Sequence, residues 1–156
     1  MGAKRILIST LVAAGLSVPL TLAPASFALP EDHVPHLADI MGTIQARHIK
    51  IWYAGKAANW ELAKFEARQL EAGLVDAAMF YAGIPVSNVT TMAKPLHSLD
   101  EAIAAKDGKQ FSKAYSELTA DCNGCHASMA RPFVVIRVPT GQQPFGDQLF
   151  TPQGKQ

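Results

Sequence analysis

The sequence predicts an all-α protein, an antiparallel up-down-up-down four-helix bundle followed by an extended C-terminal tail. Three observations carry this. Apolar residues recur at helical spacing in four stretches between Val34 and Ser128. The breaks between them are short and hold Gly, Pro, Asn or Asp, so consecutive helices become antiparallel neighbours. After Arg131-Pro132 the helical period stops, and a β-prone run, Phe133 to Val138, leads into Pro139, Gly141, Pro144 and Gly146.

The first helix is predicted from Val34 to Gly55. Leu37, Ile40, Met41, Ile44, His48, Ile51, Trp52 and Gly55 form one broad stripe, and Pro35 suits the first turn. Asn59 is placed to cap a second helix from Trp60 to about Tyr81. Its core face is Ala63, Ala67, Leu70, Leu74, Ala77 and Ala78 with Tyr81, and Gly83 and Pro85 end it. The polar stretch Ile84–Thr91 reads as a surface loop. A third helix is expected from Pro95 to Lys106, burying Leu96, Leu99, Ala102 and Ile103, with Asp107-Gly108 as its stop. The fourth runs from Gln110 to Ser128 with Phe111, Ala114, Tyr115, Leu118, Cys122 and Cys125 facing inward. A lone strand after Arg131 has no partner in the chain. Residues 131–156 are therefore expected to lie over the bundle, with Phe133 at the edge of a bound group, the alternative being a partly disordered terminus.

The N-terminus reads as a leader. Lys4 and Arg5 precede an apolar run from Ile6 to Ala23, and Ser26-Phe27-Ala28 offers small residues at the positions a signal peptidase reads. Residues 1–28 are predicted to be a signal peptide cleaved after Ala28, leaving a domain at 29–130 and the tail at 131–156. An uncleaved signal anchor is the alternative, against which Pro19, Pro24 and the cleavage-like triplet argue. Cleavage removes Lys4 and Arg5 and no acid, so the formal charge of +1 falls by two, to −1. Such a balance gives no basic surface for nucleic acid.

The most specific feature is Cys122-Asn123-Gly124-Cys125-His126. C-x-x-C-H is the attachment signature of c-type haem: two thiols add across the vinyl groups and the following imidazole becomes the proximal iron ligand. On a helix Cys122, Cys125 and His126 stand at i, i+3 and i+4 and share a face. The competing readings are a zinc half-site, a redox dithiol and chance. Zinc wants four ligands and the chain has no second Cys pair, while a thioredoxin-type dithiol expects a βαβ setting. The leader and the motif support each other, because covalent haem attachment in bacteria takes place outside the cytoplasm. A periplasmic location is expected.

A four-helix bundle with C-x-x-C-H near its C-terminal end resembles the cytochrome c-prime family, the class II c-type cytochromes. The passage from Ala102 through Asp107-Gly108-Lys109-Gln110-Phe111 and Ala114-Tyr115 to Cys122 and His126 looks like that family's third-to-fourth helix region. Arg47–Gly55, Asn59-Trp60 and the tail from Arg131 to Gln156 depart from it. The resemblance implies one haem c, a methionine from the first helix as sixth ligand in low-spin members, an open site binding small gases in five-coordinate members, and a frequent homodimer.

Residue positions bear on the sixth ligand independently. Antiparallel packing sets the start of the first helix beside the end of the fourth, so Met41 lies near His126, and His48 is seven residues further along, about 10 Å. Met41 is the leading candidate. An open site, or His48, His36 or Met129, remains an alternative, and a Met or His on an apolar stripe is commonly core. Arg47, Lys50, Arg131 and Arg137 are candidates to pair with haem propionates. Trp52, Tyr53 and Trp60 read as packing residues, His97 as a surface residue, and His33 as part of the segment before the first helix. Glu61, Glu66, Glu71 and Asp76 make no convincing carboxylate site, and no hydrolase triad or phosphate loop stands out.

The expectation is therefore a non-enzymatic, exported monohaem cytochrome that passes single electrons between redox partner proteins. The alternative is a five-coordinate protein binding nitric oxide or carbon monoxide. A peroxidase is weak because no distal His-Arg pair can be placed. The mature chain should begin at Leu29, and its intact mass should equal residues 29–156 plus one haem. A mass that retains residues 1–28 would mark an anchored form instead.

Overall fold

The computed structural model describes residues 34–154. The leader, its cleavage point after Ala28 and His33 lie outside the described residues. Four helices follow in order: α1 Leu37–Lys56, α2 Trp60–Phe80, α3 Val86–Ala104 and α4 Gly108–Ser128. They form the antiparallel four-helix bundle, each packing on the next, with the tail laid along it. No helix among the described residues is long and apolar enough to cross a membrane.

Capping chemistry explains several boundaries. The Asn59 side chain accepts a hydrogen bond from the Leu62 amide at 3.2 Å, as its position before α2 predicts. Asp107 accepts from the Lys109 and Gln110 amides at 2.8 and 3.0 Å, and the Gln110 contact above all holds its carboxyl below the usual carboxylate range. Asp107 thus starts α4 rather than stopping the third helix, as the sequence suggests for Asp107-Gly108. The stop is made instead at Lys106, which adopts φ 55°. There the Asp107 amide reaches back to the Ala102 carbonyl and the Lys106 amide to Ile103. Ala58 and Ala130 end α1 and α4 in the same left-handed conformation, with the same paired bonds.

One expectation fails. Ile84–Thr91 is not a surface loop, because α3 begins at Val86 and Pro95 lies inside the helix, buried. The Thr90 and Thr91 hydroxyls bond the Ser87 carbonyl, at 2.9 and 2.7 Å, in the turns before Pro95. Proline removes one amide and is disfavoured in a helix interior. Here its ring is buried, and Met92 before it is buried too. Tertiary packing outweighs local preference.

The four interfaces are unequal. α1 lies close on α2, whose inner face is mostly small: Ala63, Ala67 and Ala77 around Leu70. The α1–α4 seam is the thinnest, and rings fill it. Trp52 meets Tyr115 at 4.9 Å and Phe111 at 6.2 Å between centroids, and Trp60 at the start of α2 meets Phe111 edge-on at 5.8 Å. Phe111 fits only because position 55 is glycine, where a Cβ would overlap its ring.

Two buried polar groups sit on either side of α1. Glu66 of α2, 2 % exposed, pairs with Arg47 at 2.8 Å. His48, also 2 % exposed, bridges to α4. Thr119 Oγ1 donates its proton to the Tyr115 carbonyl at 2.8 Å, so it accepts from His48 Nε2–H at 2.9 Å. Tyr115 Oη lies 2.9 Å from His48 Nδ1 and 2.8 Å from the His48 carbonyl oxygen, and its proton serves these two acceptors. Burial raises the Tyr115 hydroxyl's pKa well above its usual value and lowers that of His48 from 6.5 to about 4.

Between these two pH values the unfolded chain binds a proton that folded His48 refuses. Stability present above pH ~6.5 should therefore be lost as the pH falls toward 4, by roughly 3 kcal/mol if the full shift is realised. Urea denaturation across this range should show the slope in the wild type and a much shallower one in His48→Gln.

Candidate haem-binding site

The motif occupies the last turns of α4, at the end of the bundle where α1 and α3 begin and α2 finishes. Cys125 and His126 line a cavity of about 430 Å³ there, within the ~300–1,000 Å³ usual for small-molecule sites. Its walls are almost wholly apolar. α1 contributes Leu37 and Met41, α2 Leu74 and Ala77, and α3 Val89 and Met92. Met129, Arg131, Phe133 and Val134 close the side beyond α4. Phe133 is otherwise 77 % exposed, so a large ring of the tail stands at the cavity edge.

His126 is held in one tautomer. Its Nδ1 lies 2.9 Å from the Val134 carbonyl oxygen, which can only accept, so Nδ1 carries a proton and, in the neutral ring, Nε2 is the nitrogen with the lone pair. The carbonyl arrives there because the chain reverses after α4. The Arg131 amide bonds the His126 carbonyl at 2.7 Å, and the Val134 amide bonds Arg131 at 3.0 Å. The tail then runs back along α4. It is pinned by Asn123 to Ile136, by the Tyr53 hydroxyl donating to the Gly141 carbonyl at 2.7 Å, and by buried Phe150 against Tyr53.

Cys122 and Cys125 are both free thiols. Cys125 lines the cavity, whereas Cys122, one turn earlier, packs against the core. Burial, with Cys125 and Asp121 adding, pushes the Cys122 thiol up to about 12, and burial also raises Cys125 against a lowering contact with Asn88. Reactive dithiols have depressed values, so these thiols do not have that character. Among the described residues no three His, Cys, Asp or Glu side chains gather into a metal-holding group.

The remaining candidates separate clearly. Met41 shares the cavity with His126, as the helix register predicts, and so does Met129. His48 is committed at both ring nitrogens to Tyr115 and Thr119, and His36 precedes α1 exposed. Neither lines the cavity. Met92 does, and sequence reasoning misses it because Pro95 reads as a helix start. Arg47 is taken by Glu66, so it is not available to a propionate, and Lys50 lies over the Phe145 ring at 4.9 Å. Arg137 lines a separate hollow under the tail, and Arg131 is the cation at the cavity. Its guanidinium makes only long contacts, 3.3 Å, to the Met129 and Ala130 carbonyls. Exposed His97 lies 3.4 Å from Glu101.

No family model, curated protein or solved structure matches the chain. The case for this site therefore rests on the motif and on the geometry around it.

Proposed function

We propose that the chain is an exported, periplasmic monohaem c-type cytochrome, resembling class II members, that carries single electrons between redox partner proteins. The observation that supports this best is the joining of Cys125 and His126 in one apolar cavity with His126 Nδ1–H tied to a carbonyl. A metal-binding histidine is characteristically fixed in this way, its other nitrogen left for the metal. In this reading haem c is attached through Cys122 and Cys125 with His126 as proximal ligand, and the iron supplies a one-electron couple when the group is bound. Attachment at Cys122 asks its side chain to give up its packing against the core.

The chain's own residues would then do three things. His126 Nε2 donates to the iron, with its ring orientation set by Val134. The apolar walls keep water from the bound group, which limits side reactions. Arg131 at the rim suits a carboxylate of the bound group. Met41 is the favoured sixth ligand, since thioether ligation raises the potential relative to bis-histidine and suits electron transfer.

The second reading is an open sixth position that binds nitric oxide or carbon monoxide. The same apolar walls favour it, because small uncharged gases partition into such a cavity.

Expressed with export and maturation machinery, the wild type should hold haem through denaturing electrophoresis with haem staining. Cys122→Ala combined with Cys125→Ala should abolish that staining. Covalent haem in the double variant, or none in the wild type, would refute the central reading.

Met41→Ala should remove the ferric methionine-to-iron charge-transfer band in the far red, open the iron to carbon monoxide and lower the potential. An unchanged spectrum in Met41→Ala, with the band lost in Met92→Ala or Met129→Ala, would move the ligand to that residue. A wild type that binds carbon monoxide at once would favour gas binding.

A further inference from the structure

We propose that Asn123, one of the two variable residues of the C-x-x-C-H motif, is a positioning residue that sets the tautomer and donor strength of His126 through the tail. The proposal rests on the haem reading for its redox consequence and on geometry alone for its tautomer consequence. The Asn123 side chain uses both ends of its amide on one residue. Its Nδ2 donates to the Ile136 carbonyl at 2.9 Å, and its Oδ1 accepts from the Ile136 amide at 2.8 Å. Two residues earlier in the tail, the Val134 carbonyl receives His126 Nδ1–H at 2.9 Å.

The two contacts are geometrically linked. Asn123 and His126 are i and i+3 on α4, neighbours on one face about 4.5 Å apart along the axis. Val134 and Ile136 are two apart in the tail, and both turn backbone groups toward α4, Val134 its carbonyl and Ile136 its amide and carbonyl. The tail runs antiparallel to α4, so the earlier tail residue meets the later helix residue. Fixing Ile136 at both of its backbone groups fixes the carbonyl two residues away.

The clamp needs a donor and an acceptor on one short side chain, which the asparagine amide supplies. Aspartate accepts from the Ile136 amide but sets a carboxylate against its carbonyl oxygen, and alanine makes neither bond. Without the clamp, the backbone order of residues 133–136 would rest on the turn bond at Val134 and on anchors at Tyr53 and Phe150, which hold the tail further along.

A proton shared with a carbonyl makes the imidazole a stronger donor, which favours ferric iron. Loss of the clamp should weaken that bond and shift the ferric–ferrous equilibrium toward ferrous by up to about tenfold, about 59 mV for one electron.

The test begins with nitrogen NMR of the folded mature chain, residues 29–156, without haem, in mildly alkaline buffer. His126 should be protonated at Nδ1 in the wild type, and an Nε2–H tautomer there would overturn the proposal outright. Asn123→Ala and Ile136→Pro, which removes the amide that Asn123 accepts from, should both mix the tautomers. In the haem-loaded forms both should raise the midpoint potential. Phe150→Ala loosens the same tail at its other anchor and should lower stability while leaving tautomer and potential in place. Should Asn123→Ala not fold, Ile136→Pro reads the same bond from the other side. Wild-type tautomer and potential in the clamp variants, or equal shifts in Phe150→Ala, would reduce Asn123 to a structural role. A wild type that takes up no haem would defeat the functional reading, and the NMR arm would still decide the role of Asn123.

Discussion

The hydrogen bonds that join the His48 ring to Tyr115, from which it accepts, and to Thr119, to which it donates, fix how far α1 is slid along α4. These two helices share the thinnest interface of the bundle, and the rings between them would tolerate several offsets. A buried donor and acceptor tolerate only one, because any other leaves polar groups unpaired at about 1–3 kcal/mol each. From His48, seven residues toward the start of α1 lead to Met41. From Tyr115 and Thr119, seven residues toward the end of α4 lead to Cys122 and His126. Both steps rise about 10 Å, so Met41 falls level with the motif. Side chains lean toward the N-terminus of their helix, which for α1 is the motif end. The meeting of Met41 and His126 at one cavity is thus set two to three turns away, by a network that takes no part in the cavity.

The thin seam also explains the tail. A bundle whose α1 and α4 stand apart on large rings leaves a groove that four helices alone do not close. The tail enters it from the motif end, through Ile136 on Asn123, and is held further along by Gly141 and Phe150 on Tyr53 of α1. Its irregular backbone pairs with side chains rather than with a strand, which is how a single extended segment satisfies its polar groups. Lys50 over Phe145 shields the outer side. The segment that closes the groove is also the one that fixes the imidazole of His126.

The bundle and the motif were legible because both rest on local rules. Helical period places the core faces of all four helices, and Ile51, Leu70, Leu99 and Leu118 are buried as their spacing requires. The start of α3 was not legible, since Pro95 reads locally as a first-turn residue and only packing against the bundle makes it interior. The same misreading hides Met92 from the cavity. Glu66 was opaque for a related reason: a carboxylate on a core stripe looks like a break in the pattern until Arg47, nineteen residues earlier, is seen to pair with it. The tail contacts are non-local pairings between an irregular segment and two helices, and no periodicity encodes them.

His126, the proximal candidate, and His48, an alternative for the sixth position, are separated by how their nitrogens are spent. His48 has one nitrogen on a hydroxyl that can only accept and the other facing the Tyr115 hydroxyl, and burial disfavours its charged form. To ligate anything it would have to leave two buried partners unsatisfied. His126 spends one nitrogen on a carbonyl that will never give a proton back, and retains the other. Hydrogen bonding removes the first imidazole from the pool of ligands and prepares the second. A sequence reader sees two histidines on facing helices of a bundle, but the partners that divide them, Thr119 and Val134, are ordinary residues whose importance comes only from where the fold puts their oxygens.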